Sequence, residues 1–287
     1  MAEAALRAAS VADLRSAQRF CHRLARHEAA NFYWGFIALP SEQRAAIYGL
    51  YSFARQADDA VDQGGGRAAL ELQRRRLESC LAGQADDEVT RVLVWARERY
   101  RLSDMELRSL LDGVQMDLDK RRYASWEEVE DYCRLVASVV GRLCVRIFGY
   151  RDAEALERAD RLGIALQLIN ILRDVREDAG LGRVYIPSTE LERFDVREED
   201  LLGGPVPRGW EPLVHSQAVR ARLNLRLGLT VTRFIPYRAR VCVRTMAGIY
   251  EGILDRIEAD PARALLQRVS LPPAAKLQAM VRAWLPE

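Results

Sequence analysis

The sequence has little of what a metal site built on nitrogen or sulfur ligands requires. It contains three histidines and five cysteines in 287 residues, and no two cysteines form a C-x-x-C pair. This argues against a structural zinc site and leaves too few histidines for a histidine-based metal centre. The odd number and wide spacing of the cysteines also exclude a disulfide framework, so we expect free thiols in a reducing compartment. Any metal bound here must have oxygen ligands.

The chain also lacks a long hydrophobic run and a net charge of either sign. The most apolar stretch, 135–150, is interrupted by Arg142 and Arg146, whereas a spanning helix needs about 18 uninterrupted apolar residues. The first twenty residues carry Glu3 and Asp13 and no apolar core of a signal peptide. With 43 basic against 41 acidic residues, no net field favours a polyanionic partner. We predict a cytoplasmic protein that does not bind nucleic acid.

Glycine and proline are scarce outside one region, and the period-two alternation of strands is nearly absent. Apolar residues instead recur at spacings of three and four, which is typical of amphipathic helices. Helices are predicted over 13–30, 41–62, 67–82, 87–99, 103–121, 125–148, 152–178, 211–233, 237–259 and 272–284. The interval 179–212 gathers glycines and prolines and is predicted to be an irregular loop. Because its flanks do not differ in composition, we predict one all-α domain over 1–287.

Two pairs of aspartates give the strongest indication of a catalytic site. Asp58 and Asp62 lie four residues apart at the end of one predicted helix, and Asp174 and Asp178 do so at the end of another. Residues four apart share a helix face, so each pair stacks two like charges one turn apart. A Mg²⁺ ion would offset this repulsion and join the carboxylates to a diphosphate. The alternative is that these are solvated aspartates paired with arginines near helix ends.

Further polar groups extend these two helix faces. Asn170 lies one turn before Asp174, and Gln167 stands in an otherwise apolar run. Arg55 and Arg173 come just before the two aspartate pairs, where a guanidinium can bind a diphosphate. Because it relieves a repulsion between like charges, we expect Asp174→Asn to lower kcat without lowering stability.

Tyrosines and one further aspartate are harder to interpret from their pattern. Tyr51, Tyr132 and Tyr185 have the features of ordinary core tyrosines whose hydroxyls are satisfied. Asp117 stands just before Lys120 and also fits a solvated helix end. We nevertheless include all four among the candidate catalytic residues.

Several segments resemble the squalene/phytoene synthase family, whose members join two prenyl diphosphates head to head. They are residues 31–40, 48–55, 132–141, 163–178 and 182–187. The segments 246–258 and 268–272 resemble most the bacterial presqualene diphosphate synthase branch, which is linked to hopanoid synthesis.

The resemblance implies an isoprenoid-synthase-type helical bundle with a large central cavity. It implies that Mg²⁺, or alternatively Mn²⁺, is held across that cavity by Asp58, Asp62, Asn170, Asp174 and Asp178. Diphosphate would be bound by Arg55 and Arg173, to which we add Gln167. The resemblance also implies that Tyr51, Tyr132 and Tyr185 lie near the reacting carbons. Where the family often has glycine this chain has Ser138, on a helix expected to line the cavity.

The implied activity is head-to-head condensation of two farnesyl diphosphates to presqualene diphosphate, with squalene as a further product. The alternative is a phytoene synthase acting on geranylgeranyl diphosphate. Lesser alternatives are a class I terpene cyclase, because Asp58-Asp59-x-x-Asp62 also has the cyclase form, and a non-catalytic binding protein of the same fold. The sequence has no glycine-rich dinucleotide motif, and NADPH use stays open.

Prenyl substrates carry long apolar chains, so peripheral contact with the inner face of a membrane is an additional expectation. Residues 272–285 form a short amphipathic candidate with Trp284 at its end. Leu277, Met280, Val281 and Leu285 recur at spacings of three and four, which a final helix packed on the bundle also requires. Of the two, we favour packing. The sequence does not predict the oligomeric state.

Overall fold

The structure, a computed structural model, describes residues 2–29 and 31–285, and it describes the side chains of these residues except 2–11, 62 and 63. Within this part there is no β-strand, and the one isolated bridge joins Arg122 to Val184. The prediction of an all-α fold is confirmed.

Fourteen α-helices account for most of the described chain. They are α1 Ala2–Glu28, α2 Phe32–Phe36, α3 Ser41–Ala60, α4 Gly66–Leu81, α5 Glu88–Tyr100, α6 Asp104–Asp119, α7 Trp126–Cys133, α8 Val139–Phe148, α9 Glu154–Gly180, α10 Ser188–Arg193, α11 Trp210–Leu229, α12 Tyr237–Ala259, α13 Ala262–Leu266 and α14 Pro273–Ala283. A π-helical turn, Arg134–Ser138, joins α7 to α8, so the helix predicted over 125–148 is one nearly continuous stretch.

The structure differs from the predicted helices in several places. Helix α1 begins at Ala2, eleven residues before the predicted start, and the short helix α13 was not predicted. Helix α2 was not predicted, because five residues are too few to show a helical period. Helix α3 ends at Ala60, and a second π-helical turn, Val61–Gly65, takes the chain to α4. The interval 179–212 contains α10 and the 3₁₀ turn Glu198–Leu202, so it is not the uninterrupted loop that the composition suggested.

Helix α9 is the central element of the bundle and packs against α8, α11 and α12. Two glycines allow its neighbours to approach closely. A Cβ on Gly228 of α11 would lie 2.4 Å from the backbone nitrogen of Leu162, and a Cβ on Gly163 would lie 2.7 Å from the Cα of Ser138. Only glycine avoids these overlaps, so the backbones of α9 and its neighbours pack almost directly on each other.

Helix α6 is tied to α8 by a buried carboxylate. Glu106 accepts hydrogen bonds from Nε and Nη2 of Arg146 at 2.7 and 2.9 Å and from Nε of Arg142 at 3.0 Å. Burial would raise the pKa of Glu106, but these hydrogen bonds outweigh it and lower the pKa. The paired charges fix the spacing of two helices that both line the cavity described next.

Candidate active site

An elongated cavity of about 490 Å³ lies inside the bundle. Helix α9 lines it from Ala159 to Asp178, a distance of about 28 Å at the rise of an α-helix. The apolar end is lined by Ile47, Cys144, Val145, Phe148, Ala159 and Leu162, and the polar end by Arg55, Asp58, Asp117, Asn170, Arg173, Asp174, Asp178 and Arg183. The cavity thus suits a long apolar chain with an anionic head.

Every predicted site residue lines this cavity except Asp62, whose side chain lies outside the described residues. The remaining ones are Tyr51, Arg55, Asp58, Asp117, Tyr132, Gln167, Asn170, Arg173, Asp174, Asp178 and Tyr185. Ser138 does not line it: its hydroxyl donates to the carbonyl of Asp160 at 2.9 Å, and its neighbours Ala137 and Gly141 face the cavity instead. Ser138 is thus buried behind the cavity lining and is not part of it.

Asp174 is compensated by two arginines. Arg173 donates from Nε at 2.8 Å and from Nη2 at 2.5 Å to its two carboxylate oxygens. Arg268, from the segment before α14, places its Nε 2.9 Å from Asp174 Oδ1. The side chains of Arg173 and Asp174 are only 9% and 15% exposed, so this ion pair is largely buried. The expectation of an uncompensated repulsion at Asp174 is thus wrong.

Arg268 contacts Asp174 from beside the polar end of the cavity and was not among the predicted site residues. It lies 94 residues after Asp174, and no helical spacing relates the two. Tyr250 of α12 was likewise not among the predicted site residues. It is fully buried, and its hydroxyl interacts with Arg173 and Asn170. Arg268 thus holds Asp174, a predicted metal ligand, and Tyr250 holds Arg173, a predicted diphosphate ligand.

Asp178 has a different environment from Asp174. Burial, together with the neighbouring carboxylates of Asp174 and Asp117, raises the pKa of Asp178 to about 7, against the opposing effect of Arg183. On the facing helix, Arg55 Nη2 lies 2.8 Å from Asp59 Oδ1, while Asp58 lines the cavity. The polar end therefore holds carboxylates from both α3 and α9.

A stack of three tyrosines lies beside these carboxylates. Tyr185 donates its hydroxyl proton to Asp117 Oδ1 at 2.7 Å, and its ring lies 4.8 Å from that of Tyr132. The Tyr123 ring lies 5.5 Å from Tyr132 and 5.7 Å from Tyr185. Burial and the charge of Asp117 raise the pKa of both Tyr132 and Tyr185, so these hydroxyls keep their protons. Burial likewise raises the pKa of Tyr51 to about 12.

The donor chemistry of the polar end fits a hard divalent cation. Asn170 Oδ1 is buried without a hydrogen-bond partner, although Asn170 Nδ2 donates to Gln167 Oε1 at 3.2 Å. Nowhere in the described part do three or more His, Cys, Asp or Glu side chains already form a metal cage. Mg²⁺ is commonly bound by one or two carboxylates together with substrate phosphates and water. The residues present therefore fit a cation that arrives with a diphosphate.

Comparison with known proteins identifies the family. The family model described as squalene/phytoene synthase matches residues 25–275. The chain belongs to the squalene/phytoene synthase family. It is therefore a prenyltransferase with the all-α isoprenoid-synthase-type fold, as the sequence resemblance implied.

Curated relatives of this family member include several phytoene synthases. The 15-cis-phytoene synthase of Synechocystis sp. is 35% identical over 96% of this chain and 86% of its own length. The phytoene synthase of Mycobacterium tuberculosis is 34% identical over 94% of this chain and 91% of its own length. These relatives favour the phytoene alternative over the farnesyl-based expectation.

Solved structures of the same fold include enzymes of the squalene type. A dehydrosqualene synthase in complex with a ligand has a TM-score of 0.86 and 25% identity, covering 96% of this chain and 97% of its own. Squalene synthase HpnC from Alicyclobacillus acidocaldarius has a TM-score of 0.80 and 30% identity, and the match covers 89% of this chain and 97% of its own.

None of the described helices is both long enough and apolar enough to span a bilayer.

Proposed function

We propose that this enzyme condenses two molecules of geranylgeranyl diphosphate head to head to a phytoene-type hydrocarbon. The observation that carries the proposal is the long cavity, with arginines and carboxylates at one end and an apolar lining elsewhere. The choice of the geranylgeranyl chain rests on curated phytoene synthases that match 94–96% of the chain. The second candidate is condensation of farnesyl diphosphate to presqualene diphosphate, which the likeness to squalene-type structures favours.

The polar end would bind the diphosphate of the donor substrate. Asp58, Asn170, Asp174 and Asp178, with Asp62 as a further predicted ligand, would hold Mg²⁺ or Mn²⁺. A divalent ion held there would neutralise negative charge on the departing diphosphate. Arg173 and Arg55 line the cavity and would bind phosphate oxygens, together with Gln167 of α9. Arg173, which pairs with Asp174, would provide the guanidinium nearest to a diphosphate held by that carboxylate's cation.

The apolar walls and the tyrosine stack would protect the allylic cation that forms when the donor's carbon–oxygen bond breaks. A double bond of the acceptor attacks this cation, and loss of a proton closes a cyclopropane that keeps the acceptor's diphosphate. Tyr132 and Tyr185 line the cavity, and their aromatic rings would help to stabilise a cation there. Asp117 orients Tyr185 through the 2.7 Å hydrogen bond. Exclusion of water prevents the cation from being captured as an alcohol.

Loss of the second diphosphate followed by proton loss gives a phytoene-type product and consumes no reductant. Squalene, in contrast, requires hydride from a donor such as NADPH. Incubation with each prenyl diphosphate and Mg²⁺, with and without NADPH, followed by mass spectrometry therefore tests the proposal. We expect a hydrocarbon from geranylgeranyl diphosphate that forms without NADPH. A cyclic product from one substrate molecule would identify a terpene cyclase, and failure to consume either substrate would indicate a binding protein.

A further inference from the structure

Helix α14 packs on the bundle with small side chains and turns its large apolar side chains outward. Ala275 and Ala279 pack against the core, and Ala283 is buried. The approach is close, because a Cβ on Gly248 of α12 would lie 3.5 Å from the Cβ of Ala279. The prediction that this helix packs is confirmed, but the assignment of its large apolar residues to the packed face is wrong.

The outward surface, here called the C-terminal apolar face, consists of Tyr237, Leu277, Val281, Trp284 and Leu285. Their exposed fractions are 52%, 46%, 52%, 40% and 59%. The four residues from α14 and its end lie at spacings of four, three and one, so they form one stripe. Large apolar residues grouped this way on a surface mark an interaction site.

Two aromatic residues are fixed together at the end of this face. The Tyr237 hydroxyl donates to the backbone carbonyl of Trp284 at 3.1 Å, and their rings meet edge-on with centroids 5.9 Å apart. Tyrosine and tryptophan have an apolar body and a polar tip, and both are enriched where protein meets the boundary between lipid and water. The hydrogen bond holds them in place before any partner binds.

The two helices that form the face carry basic side chains near it. Helix α14 contains Lys276 and Arg282 and no acidic residue. Helix α12 begins beside the face with Tyr237 and Arg238, and its first acidic residue is Glu251. Arg238 and Arg282 are both exposed. An apolar stripe flanked by arginines complements a bilayer that carries anionic headgroups.

The face also lies close to the apolar part of the cavity. Helix α12, on which α14 packs, presents Val243 and Met246 to the cavity, and α2, which also contacts α14, presents Phe32 and Phe36. One layer of helices therefore separates the face from the space that would hold a prenyl chain.

We propose that the C-terminal apolar face docks this enzyme on an anionic membrane surface, with Arg238 and Arg282 at the headgroups. The proposal does not depend on which prenyl diphosphate the enzyme uses. Docking here would bring lipid to within one layer of helices of the apolar cavity lining on α2 and α12, and long-chain substrates and products partition into lipid.

Co-sedimentation of the full chain with vesicles tests the proposal. Vesicles of phosphatidylcholine alone would be compared with vesicles containing phosphatidylglycerol. The test variant is Leu277→Gln/Val281→Gln/Trp284→Gln, and the matched control is Val219→Gln/Leu223→Gln on α11, whose side chains are also exposed, at 67% and 54%. We expect the test variant to lose about tenfold or more in binding to anionic vesicles and the control to bind like the parent. Arg238→Glu/Arg282→Glu should also lose binding, and high salt should weaken binding by the parent protein.

Circular dichroism and turnover of detergent-dispersed substrate would confirm that each variant is folded. The proposal is overturned if the parent protein binds neither kind of vesicle, or if it binds neutral vesicles equally well. Undiminished binding by the folded triple variant overturns it too. Sedimentation velocity addresses a second copy as the partner: a dimer that the triple variant dissolves, without vesicle binding, would assign the face to self-association.

Discussion

Asp174 and Asp178 lie one turn apart on α9 and have the same side chain, yet their surroundings differ in charge. Arg173 and Arg268 compensate Asp174, whereas Asp178 is buried beside the carboxylates of Asp174 and Asp117. Asp174→Asn would leave the buried Arg173 without its counter-ion, and we expect a loss of about 2 kcal/mol in the free energy of unfolding. Asp178→Asn removes a repelled charge and should not lower stability.

Both substitutions should nevertheless lower kcat by roughly 100-fold or more, because each removes a proposed cation ligand. Thermal unfolding in EDTA, together with turnover in Mg²⁺, separates the two effects. Equal unfolding temperatures for the two variants would contradict the assignment of Arg173 as the partner of Asp174. Full activity of Asp178→Asn would remove that residue from the metal site.

Tyr185 and Tyr123 provide a matched pair for testing the tyrosine stack. The Tyr185 hydroxyl binds Asp117 at the cavity, while the Tyr123 hydroxyl is buried, has no hydrogen-bond partner and does not line the cavity. We expect Tyr185→Phe to reduce kcat by about 10–100-fold, since Asp117 loses the group that it orients. Tyr123→Phe should leave kcat unchanged. A comparable loss in both variants would mean that the stack acts only through packing.

Substitutions at Cys144 can show whether the size of the apolar end of the cavity determines which prenyl chain length the enzyme prefers. It lines the cavity from α8, two residues after Arg142. Cys144→Phe would fill part of this end, so the ratio of kcat/KM for geranylgeranyl over farnesyl diphosphate should fall by about tenfold. Cys144→Ala, which enlarges the space, should not lower the ratio. If both variants affect the two substrates equally, chain length is set elsewhere in the cavity.

At the scale of elements, the contact between α9 and α11 holds in register the helix that carries Asn170, Asp174 and Asp178. Gly228→Ala would force a Cβ to within 2.5 Å of the Leu162 backbone, so the two helices must separate. We expect this overpacking to lower the free energy of unfolding by about 2–3 kcal/mol. Gly180 near the end of α9 is the control, because a Cβ there meets nothing within 4 Å. Gly180→Ala should be neutral or stabilise by up to ~1 kcal/mol. Urea denaturation of both variants checks the difference.

Helix α14 shows what periodicity can and cannot predict for an element. Apolar spacing correctly predicts that residues 272–284 form a helix. It does not reveal which side packs, because Ala275, Ala279 and Ala283 have the same spacing as Leu277, Val281 and Leu285. The alanine side allows the closer approach to Gly248, and this steric advantage depends on a helix that is distant in sequence. The short helices α2, α10 and α13 were missed for a simpler reason, since each is shorter than two turns.

For the whole molecule, the local parts of the site were predictable and the long-range parts were not. Asp58 was predicted from its spacing to Asp62, and Asn170, Asp174 and Asp178 were predicted because they share one face of another helix, α9. Arg268 reaches Asp174 from 94 residues away, and Tyr185 binds Asp117 across 68 residues. Such pairs depend on how the helices pack, and a single sequence has no spacing rule for them.

The folded bundle does not need a cation to stay together, and this gives the last prediction. The charge of Asp174 is compensated by arginines, the α6–α8 contact has its own ion pairs, and α9 packs on α11 through close backbone contact. A cation would link protein to diphosphate and not helix to helix. Excess EDTA should therefore abolish turnover while the helical circular dichroism changes little, and added Mg²⁺ should restore activity. Mg²⁺ with inorganic diphosphate should raise the unfolding temperature more than the summed effects of each alone, because each ligand completes the other's site. Turnover that persists in EDTA would contradict the cation assignment, and loss of helical signal would show that the cation also has a structural role.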